Sequence, residues 1–208
     1  MENKKLNEQE SLALITQMIQ NSKKGLVVGS GNSFLFWGYL TLAVSIAIFL
    51  LLYITGNQSW FWLGIVIPVI GCLYTYWVSR RNGKKTMSYV DKVISNVWQI
   101  VGGTCAIIAL LALNYGNNIA ILPLLLLVLS VGAGITGSVI QEKSFYNCSA
   151  FGIAISLGML FNINSIVEGP LRQVFAFALA ITVVMIIPGH MVNRKATVSY
   201  THLTLPTT

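Results

Sequence analysis

Between Phe34 and Val192 the chain contains six stretches of roughly twenty residues that carry almost no charge. An α-helix of about 20 residues is about 30 Å long, which is the thickness of the hydrocarbon core of a bilayer. The stretches fall at 34–55, 60–79, 94–114, 119–140, 145–163 and 172–192. The third carries Asn96 and Gln99 near its start. Most links between stretches are short: GNQS, YGNN and QEK, with RRNGKKTMSYVDKV the longest. None has room for a second folded domain. Only 9% of the residues are charged and 55% are hydrophobic, whereas a soluble domain has about 25% charged residues. So few charges cannot cover a water-facing surface. The sequence therefore predicts an all-α polytopic membrane protein, a six-transmembrane-helix bundle. The first 24 residues are polar and lack a short apolar core, so a cleavable signal peptide is not expected. The first span would then direct insertion.

The basic residues orient the bundle. Six spans put the N-terminus, the 80–93 loop, the 141–144 loop and the C-terminus on one side. Twelve of the 13 Lys and Arg residues lie there, and only Arg172 lies on the other. Short loops rich in Lys and Arg stay in the cytoplasm, so both termini are expected to be cytoplasmic. The net charge of +7 follows from this bias and does not call for a nucleic-acid partner. Arg80, Arg81, Lys84 and Lys85 form a cluster suited to lipid headgroups or a protein partner, at about 1 kcal/mol per charge near an anionic surface. Trp37, Trp60, Trp62, Trp77 and Trp98 all fall near span ends, where indole rings favour the headgroup zone.

SVGAGITGSVI, residues 130–140, contains a G-x-G-x-x-G: Gly132, Gly134 and Gly137. A dinucleotide site needs such glycines at a strand-to-helix turn, with an acidic residue about 20 positions on. The matching region is AISLGML, which has no acid. An open turn within a bilayer would also leave backbone groups unpaired. Close helix packing explains the residues better. Ser130 and Gly134, Ala133 and Gly137, and Gly134 and Ser138 are each four apart, the small-xxx-small spacing that lets two helix backbones approach. A neighbour within the same chain is expected.

The N-terminal 33 residues read as a cytoplasmic amphipathic helix and linker. Asn7 is a candidate N-cap with Glu10 three residues on, and Leu12, Ile15 and Ile19 repeat at helical spacing with Met18 beside them. Glu8 and Glu10 sit at the positive end of the helix dipole, Lys23 and Lys24 at the negative end. No basic face marks it as a lipid anchor. Docking on the bundle, lying in the interface and binding another protein stay open for the 6–24 helix.

Chemistry-bearing residues are sparse. Asp91 and Glu142 fall at the cytoplasmic boundary, Glu168 and Arg172 in an outer loop, and His190 near the inner end of the last span. Catalytic residues, a bound cofactor and a metal site are not expected. Cys72, Cys105 and Cys148 are odd in number and widely spaced, so neither a disulfide framework nor a metal cluster is expected. Pro68, Pro123 and Pro188 are candidate helix kinks. NSFLFWG, NVWQIVG and NCSAFG each open an odd-numbered span, a faint threefold echo of one helical hairpin.

At FLFWGYLTLAVSIAIF, WLGIVIPVIG, YVDKVISNVWQIVG and MIIPGHMVNRKA the chain resembles a family of small, uncharacterised multi-pass inner-membrane proteins of Bacteroidota-type bacteria. The resemblance covers nearly the whole chain. It implies an inner-membrane location and carries over no functional residue. The functional expectation is a non-enzymatic accessory or regulatory subunit that meets a partner through the 6–24 helix or the 80–93 loop. The rival expectation is the permease subunit of an ABC-type exporter, which shares six spans, cytoplasmic termini and a leading amphipathic helix. A membrane enzyme has no candidate residues.

The tail VSYTHLTLPTT, residues 198–208, resembles the translation of a transposon-adapter read. It is expected not to belong to the natural protein, so 193–197 would be the cytoplasmic end and His202 is no candidate ligand.

Overall fold

The computed structural model describes residues 30–81, 89–115, 120–161 and 169–194. The 6–24 segment, Lys84, Lys85, Glu168 and the 198–208 tail lie outside the described residues. Among the described residues every element is helical and there is no strand. Six helices are long and apolar enough to cross a membrane, and they overlap the six expected stretches. Their α-helical parts are α1 (Ser30–Thr55), α2 (Val66–Arg81), α3 (Tyr89–Tyr115), α4 (Ile121–Ile140), α5 (Lys143–Phe161) and α6 (Pro170–Ile181), the second span running Gln58–Arg81 and the sixth Pro170–Arg194. A 3-10 helix, Gln58–Ile65, leads into α2. A π-helical turn, Thr182–Ile186, extends α6, and helical residues continue to Arg194.

Local chemistry sets the turns. α1 ends where Gly56 adopts φ 64° and its N–H donates to the Leu52 carbonyl at 2.9 Å. That left-handed position favours glycine. Asn57 then caps the 3-10 helix by accepting from the Ser59 N–H at 2.9 Å. The Trp60 indole N–H donates to Thr55 Oγ1 at 2.8 Å, tying the turn to the end of α1. The α4–α5 turn uses Gln141 at φ 59°, and the Glu142 N–H reaches back to the Gly137 carbonyl at 3.0 Å. α6 starts with Gly169 as its cap and Pro170 in the first turn, where the missing N–H costs nothing.

Two of the prolines sit at distinctive places in their helices. Pro123 sits in the first turn of α4, where no hydrogen bond is lost. Pro188 follows the π turn directly. A proline ring clashes with the carbonyl four residues back, here Val184. The wider π register moves the backbone there, and the Ile187 N–H bonds to Thr182 instead.

α4 is the hub. It packs most extensively on α5 and also touches α3 and α6. α1 lies against α6 and α2. The main core joins Phe34 from α1, Leu126 and Ala133 from α4, Phe145 and Met159 from α5, and Phe177, Ala180, Ile181 and Val184 from the last span. A second cluster, Val44, Ile48, Leu52 and Val174, holds Phe61, Leu63 and Ile67 of the second span against α1 and α6. Many large apolar side chains point outward, among them Leu73, Ile100 and Phe161. Such a surface suits hydrocarbon, not water.

Candidate functional site

Five residues were expected to form a packing strip: Ser130, Ala133, Gly134, Gly137 and Ser138. Three of them, Ser130, Gly134 and Gly137, face α5 across its contact with α4, and Ala133 belongs to the buried core. Ser130 and Ala133 are fully buried and Gly137 is buried. A Cβ on Gly137 would stand 2.7 Å from Phe145 Cβ and 2.9 Å from the Tyr146 backbone nitrogen, so the backbones meet there. A Cβ on Gly134 would stand 2.7 Å from Ser149 Oγ. Ser138 is exposed, and its hydroxyl donates to the Gly134 carbonyl at 3.1 Å. It lies at the rim of the seam, beside Tyr146 of α5 in the open groove described below. Gly132 serves a different neighbour: Val101 of α3 sits 2.7 Å from where its Cβ would be.

The other half of the seam comes from α5. Phe145, Ser149, Gly152, Ser156 and Met159 recur at helical spacing and are all buried. The two helices interlock reciprocally. Ser149 of α5 faces Gly134 of α4, and Ser130 of α4 faces Gly152 of α5. Farther along, Ser156 Oγ donates to the Pro123 carbonyl at 2.7 Å. These α5 residues were missed in the sequence, although their buried stripe at three- and four-residue intervals was a readable signal.

The seam meets the π turn at one point. A Cβ on Gly152 would overlap both Ser130 Oγ and Val184 Cγ2. Gly38 of α1 touches the same turn from the other side, with Ile186 Cγ1 at 2.9 Å and Met185 Cβ at 3.2 Å from its hypothetical Cβ. Thus α1, α4, α5 and α6 converge where the last span is widened. Ser130 Oγ, buried there, has no hydrogen-bond partner among the described residues. On the outer side of the seam an open groove of about 480 Å³ is lined by Val131, Ile135, Ser138, Tyr146 and Ile153 among others.

Near the basic ends of the helices, aromatic and polar pairs join the elements. Phe34 packs edge-on against Trp98 at 5.1 Å and Phe145 at 4.8 Å, linking α1, α3 and α5. The Trp98 indole donates to Thr136 Oγ1 at 3.1 Å. Trp37 lies against Gly71 of α2. Trp37 and Trp98 therefore lock helices together, a role beyond the interfacial anchoring expected of them. Tyr39 Oη and His190 Nε2 are 2.7 Å apart, and Asn193 Nδ2 donates to Asn32 Oδ1 at 2.7 Å, both bridging α1 and the last span. Arg80 and Arg81 are exposed at the end of α2, where cations complement the helix dipole. The Arg81 guanidinium stands 5.1 Å above the Trp77 ring.

Among the described residues no three His, Cys, Asp or Glu side chains come close enough to hold a metal ion. Cys72, Cys105 and Cys148 are free. No protein-family model matches the chain, and no curated protein and no solved structure matches it.

Proposed function

We propose that this chain is an accessory or regulatory subunit of a bacterial inner membrane, non-enzymatic, with both termini in the cytoplasm. One observation carries the reading: the centre of the bundle is filled while its periphery is open. Leu126, Ala133, Ala180, Ile181 and Val184 are fully buried at the centre. The second and third spans have only 6% of their apolar segments buried. A filled centre directs function to the outer surface, where a partner or lipid is met. Arg80 and Arg81 add an exposed basic patch at one end of that surface. The positive-inside bias supports the cytoplasmic termini.

The test has two arms. Reporter fusions after Lys24, within 56–59, within 82–85 and after Lys195 are expected to read in, out, in and in. An outside signal at 82–85 overturns the orientation. Affinity purification of the full chain from membranes, read by mass spectrometry, is expected to recover a stoichiometric membrane partner. Arg80→Gln with Arg81→Gln is expected to reduce that recovery. Recovery of an ATPase overturns the accessory reading in favour of an exporter permease.

A further inference from the structure

The contact between α4 and α5 leaves a shoulder on its outer side. There the groove of about 480 Å³ runs between Val131, Ile135 and Val139 of α4 and Tyr146, Ala150 and Ile153 of α5. Its place along the helices is one-sided. The α4 residues fall in the second half of Ile121–Ile140. On α5, Ile153 reaches the midpoint of Lys143–Phe161, and the other lining residues come before it. The groove therefore belongs to one leaflet of a bilayer, the one at the basic ends of the helices. Residues 131–139 cover about 12 Å of helix axis, close to the roughly 15 Å depth of hydrocarbon in one leaflet.

Two features point to its occupant. The first is size. Spread along about 12 Å, the groove has a cross-section of about 40 Å². A helix about 10 Å across needs about twice that, so it does not fit inside. A single hydrocarbon chain does, and its methylenes can keep contact with apolar walls along their whole length. The second feature is charge. Lys143 opens α5 and Tyr146 follows three residues on, so the two share a helix face. Both are exposed, and Tyr146 lines the groove. The groove thus leads to a phenol and then to an ammonium, at the depth where headgroups lie. Beside Lys143, Gln141 is neutral, and Glu142 is half-buried and has an interaction of its own. The exposed charge of this turn is positive. A lipid whose acyl chain lies in the groove carries its phosphate to that same end.

We infer that the groove binds one anionic glycerophospholipid, with an acyl chain between α4 and α5 and the phosphate end at Lys143 and Tyr146. The inference needs only that the six helices lie in a bilayer. It is independent of the accessory-subunit reading, because an exporter permease would carry the same groove.

The test uses the full-length chain, purified in a mild detergent and mixed with equal amounts of phosphatidylglycerol and phosphatidylethanolamine of matched chain length. Native mass spectrometry is expected to show one retained lipid per chain, phosphatidylglycerol favoured about fivefold, as one cation near an anionic headgroup provides. Lys143→Gln is expected to remove that preference and Lys143→Arg to keep it. Ala150→Trp, which fills the groove from an exposed position, is expected to reduce retention of both lipids about tenfold without changing the thermal unfolding midpoint. Leu157→Trp, on the same helix outside the groove, is expected to leave retention as it was. Arg80→Gln with Arg81→Gln is expected to keep the preference too. Four outcomes would overturn the inference: no retained lipid, a preference that survives Lys143→Gln, equal retention in Ala150→Trp and the parent chain, or a dimer that disappears in Ala150→Trp, which would put a second copy on the groove.

Discussion

The last span and the second and third spans are close in hydropathy and opposite in burial. Over an 18-residue apolar segment, mean hydropathy is 2.2 in Pro170–Arg194, 1.8 in Gln58–Arg81 and 1.7 in Val90–Ala112. Yet 50% of the apolar segment of the last span is buried, against 6% in each of the other two. Hydrophobicity carries a helix into a bilayer but does not choose its neighbours there, because lipid tails are as apolar as leucine. Shape and hydrogen bonding choose them. α4, α5 and α6 meet through Gly137, Gly152 and the serines beside them. α3 has Gly102 and Gly103 of the same kind, and both face open space. Small residues permit close packing; a complementary helix must be present to use them.

The sharpest way to break this contrast is a pair of glycine substitutions. Gly137→Leu drives a side chain into the α5 backbone, and a loss of about 3 kcal/mol or more is expected. Gly102→Leu enters open space and should leave the unfolding midpoint of the chain unchanged or slightly raised. Thermal unfolding in a mild detergent checks both. Equal losses would mean that α3 is packed as tightly as α4. A smaller effect is expected from leucine truncation. Leu126→Ala should cost about 2 kcal/mol or more, since that side chain is fully buried. Leu73→Ala on α2 should cost little, because lipid replaces what is removed.

The six spans were legible because charge is so scarce along them, and the GNQS turn was legible because Gly56 and Asn57 suit its two special positions. Part of the packing strip was legible too, because Ser130, Gly134 and Gly137 repeat at helical spacing. The division of labour within it was not. Gly132 receives α3 while Gly134 and Gly137 receive α5, and one sequence run cannot say which neighbour lies on which side. Trp98 looked like an interfacial anchor, since its position near a span end says nothing of Phe34 and Thr136 waiting across the bundle. Pro188 signalled a disturbance in the last span, and the coordinates add that a π turn stands directly before it.

Two hydroxyls refine the comparison at the lowest energies. Ser156→Ala removes the interhelical bond to the Pro123 carbonyl and should cost about 1 kcal/mol. Ser130→Ala removes a buried hydroxyl without a partner, and stability should hold or rise by up to about 1 kcal/mol. Chemical denaturation of the two variants side by side reads the difference. A loss at Ser130 as large as that at Ser156 would show that its hydroxyl is paired in solution.

The π turn makes the last span one residue out of phase with itself. Each helical residue advances the side-chain direction by about 100°, so one surplus residue rotates everything beyond it by that angle. Phe177 and Ala180 before the turn, and His190 and Asn193 after it, are aimed correctly only because the surplus is there. Deleting Val183 would restore an unbroken α-helical register up to Pro188. It would also swing His190 away from Tyr39 and Asn193 away from Asn32. A change of residue type at this turn disturbs its own packed side chains, Val184, Met185 and Ile186, whereas a change of length acts at a distance. A single-codon deletion there would separate the halves of a contact that no nearby substitution touches.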